Sequence, residues 1–460
     1  MPPFAAGSLS ALFSMGEGDM RLWFKVVMVA AMTLAILVAL AMVRGVIDER
    51  QAHRAQAVAS VVAGFGGAQL LAGPVLVVPY VEDVEEDVRD AAGVLHKVTR
   101  TRERQWTFFP ETLLVDGALA PDTRRRGLHQ VRVYQWSGSL RARFDARIPD
   151  DGARVRRIGR PWLAHGIADV RGLRELPVFT LDGAALPLSQ GLGHADGPGL
   201  HARLAAPRAG QRLVFATALA LELRGTESFA MLPVARSNDL RLQSSWRHPK
   251  FEGLSPQHDI GDDGFRARWQ VAALATGAQR EYRHAPDSAG QGGGTDGWAT
   301  SAVSVALIDP VDTYLQAERA TKYGVLFVAL TFVAFFMFEL IRQQPIHPIQ
   351  YGLVGLAIAL FFLLLVSLGE HIPFGFAYLS AAAACIGLIG FYLAAVLGGV
   401  LRGAAFAAML ATLYAALYGL LVSEDNALVL GAGLLFVVLA AIMVVTRRVD
   451  WYQLSAVARR

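Results

Sequence analysis

The chain has 460 residues, 53% of them hydrophobic and only 18% charged, with a mean hydropathy of +0.37, which is too apolar for a wholly water-soluble protein of this length. The charges crowd between Arg44 and Lys322, where 35 Lys and Arg stand against 32 Asp and Glu; this near balance, without a clustered basic face, excludes nucleic acid as a partner. The single cysteine, Cys385, lies in an apolar run, so no intramolecular disulfide exists, and a polar segment of about 280 residues is long enough to be held by its own core.

In chain order, residues 1–20 read as a disordered cytoplasmic tail. The first apolar run, 26–43, follows Trp23 and is flanked by Arg21, Lys25 and Arg44, predicting a first transmembrane helix over 21–43. Ala39, Leu40 and Ala41 resemble a signal-peptide cleavage site, but the run is longer than such a peptide needs and continues as helix, so a retained span is the better reading. Through Ile47, Arg50, His53, Ala57 and Val61 no proline interrupts the pattern until Gly64, Gly66 and Gly67 stop it. About twenty residues at 1.5 Å each form a stem roughly 30 Å long. A second stem is expected before the next span, capped by Asp309 with Pro310 at its first position and Glu318 four residues before Lys322.

The segment 44–322 between the stems reads as a large periplasmic, mainly-β domain. Apolar or alternating stretches at 74–80, 113–119, 131–134, 140–144, 214–223, 240–246 and 264–271 are separated by Gly, Pro and Asp, predicting an antiparallel sandwich. The strands before about 155 and after about 212 are expected to form two stacked versions of one unit. Residues 181–211 and the glycine-rich 285–297 read as surface loops. The acidic stretch 82–90 and the Arg124, Arg125, Arg126 triplet read as solvated turns.

Chemistry finds little support. His165 and Asp169 lie four apart in PWLAHGIADVRG, which as a helix would place both on one face, yet two ligands are too few for structural zinc. His248, Asp262 and Asp263 lack a nucleophile elbow or a paired His and Ser signature. Gly64, Gly66 and Gly67 end a helix rather than follow a strand, and Gln69 stands where a dinucleotide loop needs its last glycine. No catalytic, cofactor-binding or metal-ligating residue is assigned.

Five further apolar runs, 323–341, 351–368, 374–398, 403–422 and 427–445, predict transmembrane helices two to six, the last four within 351–445, followed by a cytoplasmic tail at 446–460. Arg342, Arg402, Arg447, Arg448, Arg459 and Arg460 mark alternate loops and the tail, whereas the opposite loops hold Glu370 with His371 and Glu424 with Asp425. Both termini are therefore expected in the cytoplasm. Glu339 is placed to pair with Arg342, and no charge lies near the centre of any span, which argues against an ion-coupled transporter. In the fifth span, Ala407, Ala411, Ala415 and Gly419, beside Ala404, Ala408, Thr412 and Ala416, form small-residue lines that predict close helix packing.

RGVIDERQAHRAQAVASVVAGFGGAQLLAGPVLVVPY from Arg44, DDGFRARWQV from Asp262, IDPVDTYLQAERATKYGVLFVALTFVAFFMFEL from Ile308, HPIQYGLVGLA from His347 and TRRVDWY from Thr446 together resemble the CreD family. The resemblance implies a bacterial inner-membrane protein of cell-envelope integrity, produced in several bacteria under CreBC control and linked to colicin tolerance and the response to β-lactams. It brings no catalytic residue or cofactor. Two functions are in play: a non-enzymatic protein, anchored in the lipid bilayer, whose periplasmic domain binds an envelope protein or glycan, and a transporter or enzyme acting on envelope lipid or glycan material. A flat domain face favours the first, a deep polar cavity with convergent titratable groups the second.

Overall fold

The computed structural model describes residues 17–89, 95–127, 129–150, 156–193, 197–288, 300–308, 313–342, 347–423 and 427–447. The tail before residue 17, the cap at Asp309 and Pro310, the loop around Gly293, Glu424, Asp425, Arg448, Arg459 and Arg460 lie outside them. The chain divides into two compact units, Met1–His53 with Val311–Arg460, and Arg54–Pro310.

Seven helices occur among the described residues: α1 (Glu17–Phe65), α2 (Ala278–Ser288), α3 (Thr313–Arg342), α4 (Pro348–Gly369), α5 (Phe374–Val396), α6 (Val400–Val422) and α7 (Ala427–Thr446). As expected, α1 runs on past residue 43 without a break. It stops where Gly66, at φ 103°, donates its N–H to Val62 O, the left-handed exit that glycine makes cheaply. Three helical stretches, Ile349–Gly369, Phe374–Val396 and Val400–Val422, are long and apolar enough to cross a membrane, and Val429–Val444 is a shorter apolar helix.

Within the helical unit, Ile36, Leu40, Val43 and Ile47 of α1 recur at four- and three-residue spacing and join Phe327 and Phe335 of α3 and Ile358 and Phe362 of α4 in one buried cluster. Met32 and Ile36 lie against Gly352 and Gly355, positions where any β-carbon would overlap them. The start of α4 explains the HPIQ segment: Ile349 donates to His347 Nδ1 (3.3 Å), His347 N–H to Gln350 Oε1 (3.2 Å), and Pro348 takes the first turn. The small-residue lines of α6 do not form its packed face. That face is Gly403, Phe406, Leu410, Tyr414 and Leu417, while Ala404, Ala408, Ala411, Ala415 and Gly419 are exposed, Ala407 and Ala416 are half-buried, and Ala407 lies beside Gly390. Large side chains win the inward side because they bury more apolar area per position.

The second unit contains the strands β1 (Gln69–Arg89), β2 (Leu95–Phe108), β3 (Thr112–Arg126), β4 (His129–Arg147), β5 (Arg156–Ile158), β6 (Trp162–Ile167), β7 (Val178–Leu181), β8 (Ala184–Ala185), β9 (Ser189–Gln190), β10 (Gly199–Arg203), β11 (Arg212–Thr226), β12 (Ser228–Leu232), β13 (Ser237–Ser244), β14 (Pro249–Glu252), β15 (Gln257–Gly261), β16 (Gly264–Ala272) and β17 (Val303–Leu307). One sheet runs β14-β17-β12-β1-β6-β10-β9, with β2 and β5 also on β1; the other runs β15-β16-β13-β3-β4-β11-β7-β8. The inner faces share one core, in which Trp136 of β4 stacks on Phe229 of β12 with centroids 5.2 Å apart.

The expectation of two stacked units is overturned, because each sheet draws strands from both halves of the segment. Short crossings between the sheets make this possible: Glu227 alone, at φ 60°, separates β11 of one sheet from β12 of the other. Nor is pairing wholly antiparallel, since β1 runs parallel to β12 and β3 to β13. PWLAHGIADVRG is not a helix: β6 is buried along its whole length between β1 and β10, so its apolar residues face both ways, as in a fully buried strand. The expected loop at 181–211 contains the buried strand β10. The acidic residues from Glu82 on are the distal half of β1, in an unbroken ribbon with β2 from Leu76↔Phe108 to Arg89↔Leu95. The arginine triplet closes the β3–β4 hairpin, turned by Gly127 at φ 61°.

Candidate functional site

Strands β3, β13 and β16 alternate along their paired lengths, with Leu240, Leu242, Ala267 and Trp269 turned into the core and Asp116, Arg241, Gln243, Arg266 and Arg268 turned outward. Register then assembles a row that no single strand contains: Arg268 lies opposite Arg241, which lies opposite Asp116, while Asp259 faces Arg266 and Arg266 faces Gln243. The tip of the β15–β16 hairpin overhangs this row. The result is a polar groove of about 450 Å³ lined by Ser137, Gln243, Ser245, Asp259, Asp263 and Arg266 over a floor of Ala118 and Ala120. A second hollow of about 430 Å³ shares Gln243, Asp259 and Arg266 with it.

Arg241 and Arg268, which line the second hollow and not the groove, are held by one carboxylate. Asp239 accepts from Arg268 Nε (2.8 Å) and Nη2 (2.8 Å) and from Arg241 Nη2 (2.7 Å). The Arg268 guanidinium first, and Arg241 with it, hold the Asp239 carboxyl far below the usual carboxylate range. Two like charges are thereby fixed side by side on one carboxylate. The groove itself is open, for the side chains of Ser137, Gln243, Ser245, Asp259, Asp262, Asp263 and Arg266 have no hydrogen bond or ion pair among the described residues. Carboxylates, an amide, hydroxyls and one guanidinium on a shallow floor can exchange hydrogen bonds with a polar ligand. His258, in the adjoining hollow, has its Nδ1 3.2 Å from Pro256 O rather than on a serine.

Of the residues singled out from sequence, Asp262 and Asp263 line the groove, with Asp262 O accepting from Arg247 Nε at 2.7 Å. His248 is not part of the lining; its carbonyl accepts from Trp246 Nε1. His165 and Asp169 separate. His165 is 2% exposed between the sheets, edge-on to Phe179, with neither ring nitrogen hydrogen-bonded among the described residues, and burial pushes its pKa down to about 4. Asp169 caps a single turn, accepts from Gly67 N–H at 2.9 Å and pairs with Arg171, which chiefly lowers its pKa. Gln69, which breaks the dinucleotide pattern, is buried and donates to Asp169 O and Arg224 O. Asp239, Gln243 and Arg268 escape a reading of the sequence; their alternation is visible there, but the register joining β13 to β16 is not.

The family described as Inner membrane protein CreD matches residues 21–452. The chain belongs to the CreD family. It is also 34% identical over 444 residues to Inner membrane protein CreD of Escherichia coli (strain K12), covering 94% of each chain. Family and apolar helices agree on an inner-membrane protein. The segments that resemble CreD in sequence now have locations: one stretch holds the end of α1 and β1, and another the tip of the β15–β16 hairpin and β16 itself, beside the groove. The CreD name carries no enzymatic activity.

Proposed function

We propose that this protein crosses the inner membrane six times with both termini in the cytoplasm, carries its β domain in the periplasm, and supports envelope integrity and the envelope stress response by non-enzymatic binding of a periplasmic partner in the groove. The observation that carries this reading is the set of seven polar side chains around a shallow floor, without partners among the described residues. Such a set favours a hydroxyl-rich glycan over an apolar ligand. The helical course of α1 and α3 over the first two apolar runs, and the placing of Arg402 and Arg447 at alternate helix ends, support the six-span topology.

In-cell photocrosslinking from Ser137, Gln243 and Asp262, with and without β-lactam stress, tests it. Capture of one defined glycan fragment or envelope protein, lost on Asp259→Ala with Arg266→Ala, supports the reading. If no specific adduct forms from these positions while probes in the helical unit capture envelope lipid or glycan, the groove is not the working surface and a transport or lipid-handling role replaces it.

A further inference from the structure

Beside the groove, the outer face of the same eight-stranded sheet carries a third hollow. Along β4 the outward positions are Ser137, Ser139, Arg141 and Arg143, alternating with the buried Leu140 and Ala142. Register places Leu114 of β3 and Ala218 of β11 opposite Arg141, and Thr112 and Ala216 opposite Arg143. With Thr180 and Gly183 at its rim, the hollow measures about 340 Å³. Its β11 flank is alanine, so no large side chain on that strand shades the two arginines, and both are exposed.

These two arginines are uncommitted. On the same face Arg241 and Arg268 share Asp239, and Arg212 holds Asp145 at 2.7 Å. The side chains of Arg141 and Arg143 have no hydrogen bond or ion pair among the described residues. Of the nearby acids, Asp145 is held by Arg212, Asp182 accepts from Ala216 N–H at 2.8 Å, and Asp116 lies opposite Arg241. A guanidinium offers a planar fork that matches a carboxylate by two parallel hydrogen bonds. Two such forks stand here two residues apart, about 7 Å along the strand.

The way from the groove to this hollow is unobstructed on the β11 side. Ser137 lines the groove and Arg141 the hollow, and four residues of strand separate them by roughly 14 Å. Between them stands Ser139, with Ala220 opposite it on β11. We infer that the glycan taken up in the groove is an acidic one, whose carboxylates are received by Arg141 and Arg143 while its hydroxyls meet Ser137 and Gln243. This rests on the groove reading above and narrows its ligand class to a chain of carboxylated sugars long enough to cross both hollows.

The test uses the full chain in detergent micelles and follows by anisotropy a fluorescein-labelled oligogalacturonate and its methyl ester, which keeps the hydroxyls and loses the charge. The charged oligomer is expected to bind at least tenfold more tightly than the ester. That preference should vanish on Arg141→Gln with Arg143→Gln and persist when the same charge is removed from the β3–β4 hairpin tip by Arg125→Gln with Arg126→Gln. The charge-neutral pair Asp259→Ala with Arg266→Ala should weaken both oligomers alike. Equal binding of acid and ester, a preference that survives the Arg141 and Arg143 changes, or no binding of the charged oligomer overturns the inference. If the ester still binds and the Asp259 and Arg266 changes weaken it, the groove reading stands although the acidic ligand fails; if those changes leave both oligomers unaffected, the groove reading falls and this inference with it. Acid and ester are compared first on the unaltered chain, so a variant that folds poorly does not blunt the test.

Discussion

Arg50 of α1 and Glu370, which follows α4, form an ion pair with Nε 3.4 Å from Oε1, and the Glu370 carboxylate is only 8% exposed. The residue after the last turn of α4 is therefore tied to α1 two turns beyond Val43, fixing which ends of the two helices share a level.

Loss of this pair should be felt unequally. Arg50→Leu takes the Arg50 cation away from a nearly buried carboxylate and is expected to cost about 1–3 kcal/mol, below the range for wholly buried pairs because Arg50 is partly exposed. Arg50→Leu with Glu370→Gln should recover most of that loss. A thermal-stability cycle of the four proteins in detergent checks it; strictly additive losses would show that the two residues do not interact.

His165 makes the sandwich acid-sensitive. Its folded pKa of about 4 lies below the usual 6.5, so between these values the unfolded chain binds a proton that the folded chain refuses. Stability is complete above about pH 6.5 and falls as pH drops toward 4, by roughly 3 kcal/mol at the lower limit. His165→Phe, beside Phe179, should flatten the denaturation profile over that window. A profile unchanged from the parent would assign the acid sensitivity to other groups.

Asp239 acts in the opposite sense of charge. Its depressed pKa means that the stability it confers is present above the ordinary carboxylate range and is lost as pH falls through its folded value. Asp239→Asn would leave Arg241 and Arg268 opposed without a shared anion and with one acceptor oxygen in place of two. A loss of about 1 kcal/mol is expected, reflecting partial solvent exposure. Asp239→Asn with Arg241→Gln should regain part of it, as read by chemical denaturation.

Gly355 sets how closely α1 approaches α4. Gly355→Val is expected to destabilise the helical unit by about 1–3 kcal/mol through overlap with Ile36. Adding Ile36→Ala should make the pair less harmful than the sum of the single changes. Simple additivity in melting experiments would mean that the helices separate freely at this level.

The helices are legible in the sequence because each apolar run is continuous, and α1 can be followed to its end because Gly64 and Gly66 are the first strong stop after Gly45. Strands such as 131–134 and 264–271 are legible from alternation. Pairing is not. The parallel match of β1 to β12 joins residues far apart in sequence, and the single residue Glu227 that carries the chain between sheets has no local signature. The acidic residues after Val81 look like a turn because their complement, Arg100 to Arg104, lies in another strand. The groove is half visible for the same reason: Asp262 and Asp263 stand out as a hairpin tip, whereas Gln243 and Arg266 meet only through register. In α6 the small-residue spacing marks a real line, but on the outward side, since Phe406, Leu410 and Tyr414 compete for the interior.

The first and last strands of the sandwich, β1 and β17, flank the same short strand, β12. Gln69 waits for Phe229, about 160 residues later in synthesis, and Phe229 in turn waits for Val305. The sheet is a clasp that shuts only when nearly the whole segment has emerged, which makes its folding late and dominated by distant contacts. Until then the hydrophobic inner faces of β1 and β6 stay uncovered, and the cell must shelter a long unfolded loop for as long as the clasp remains open.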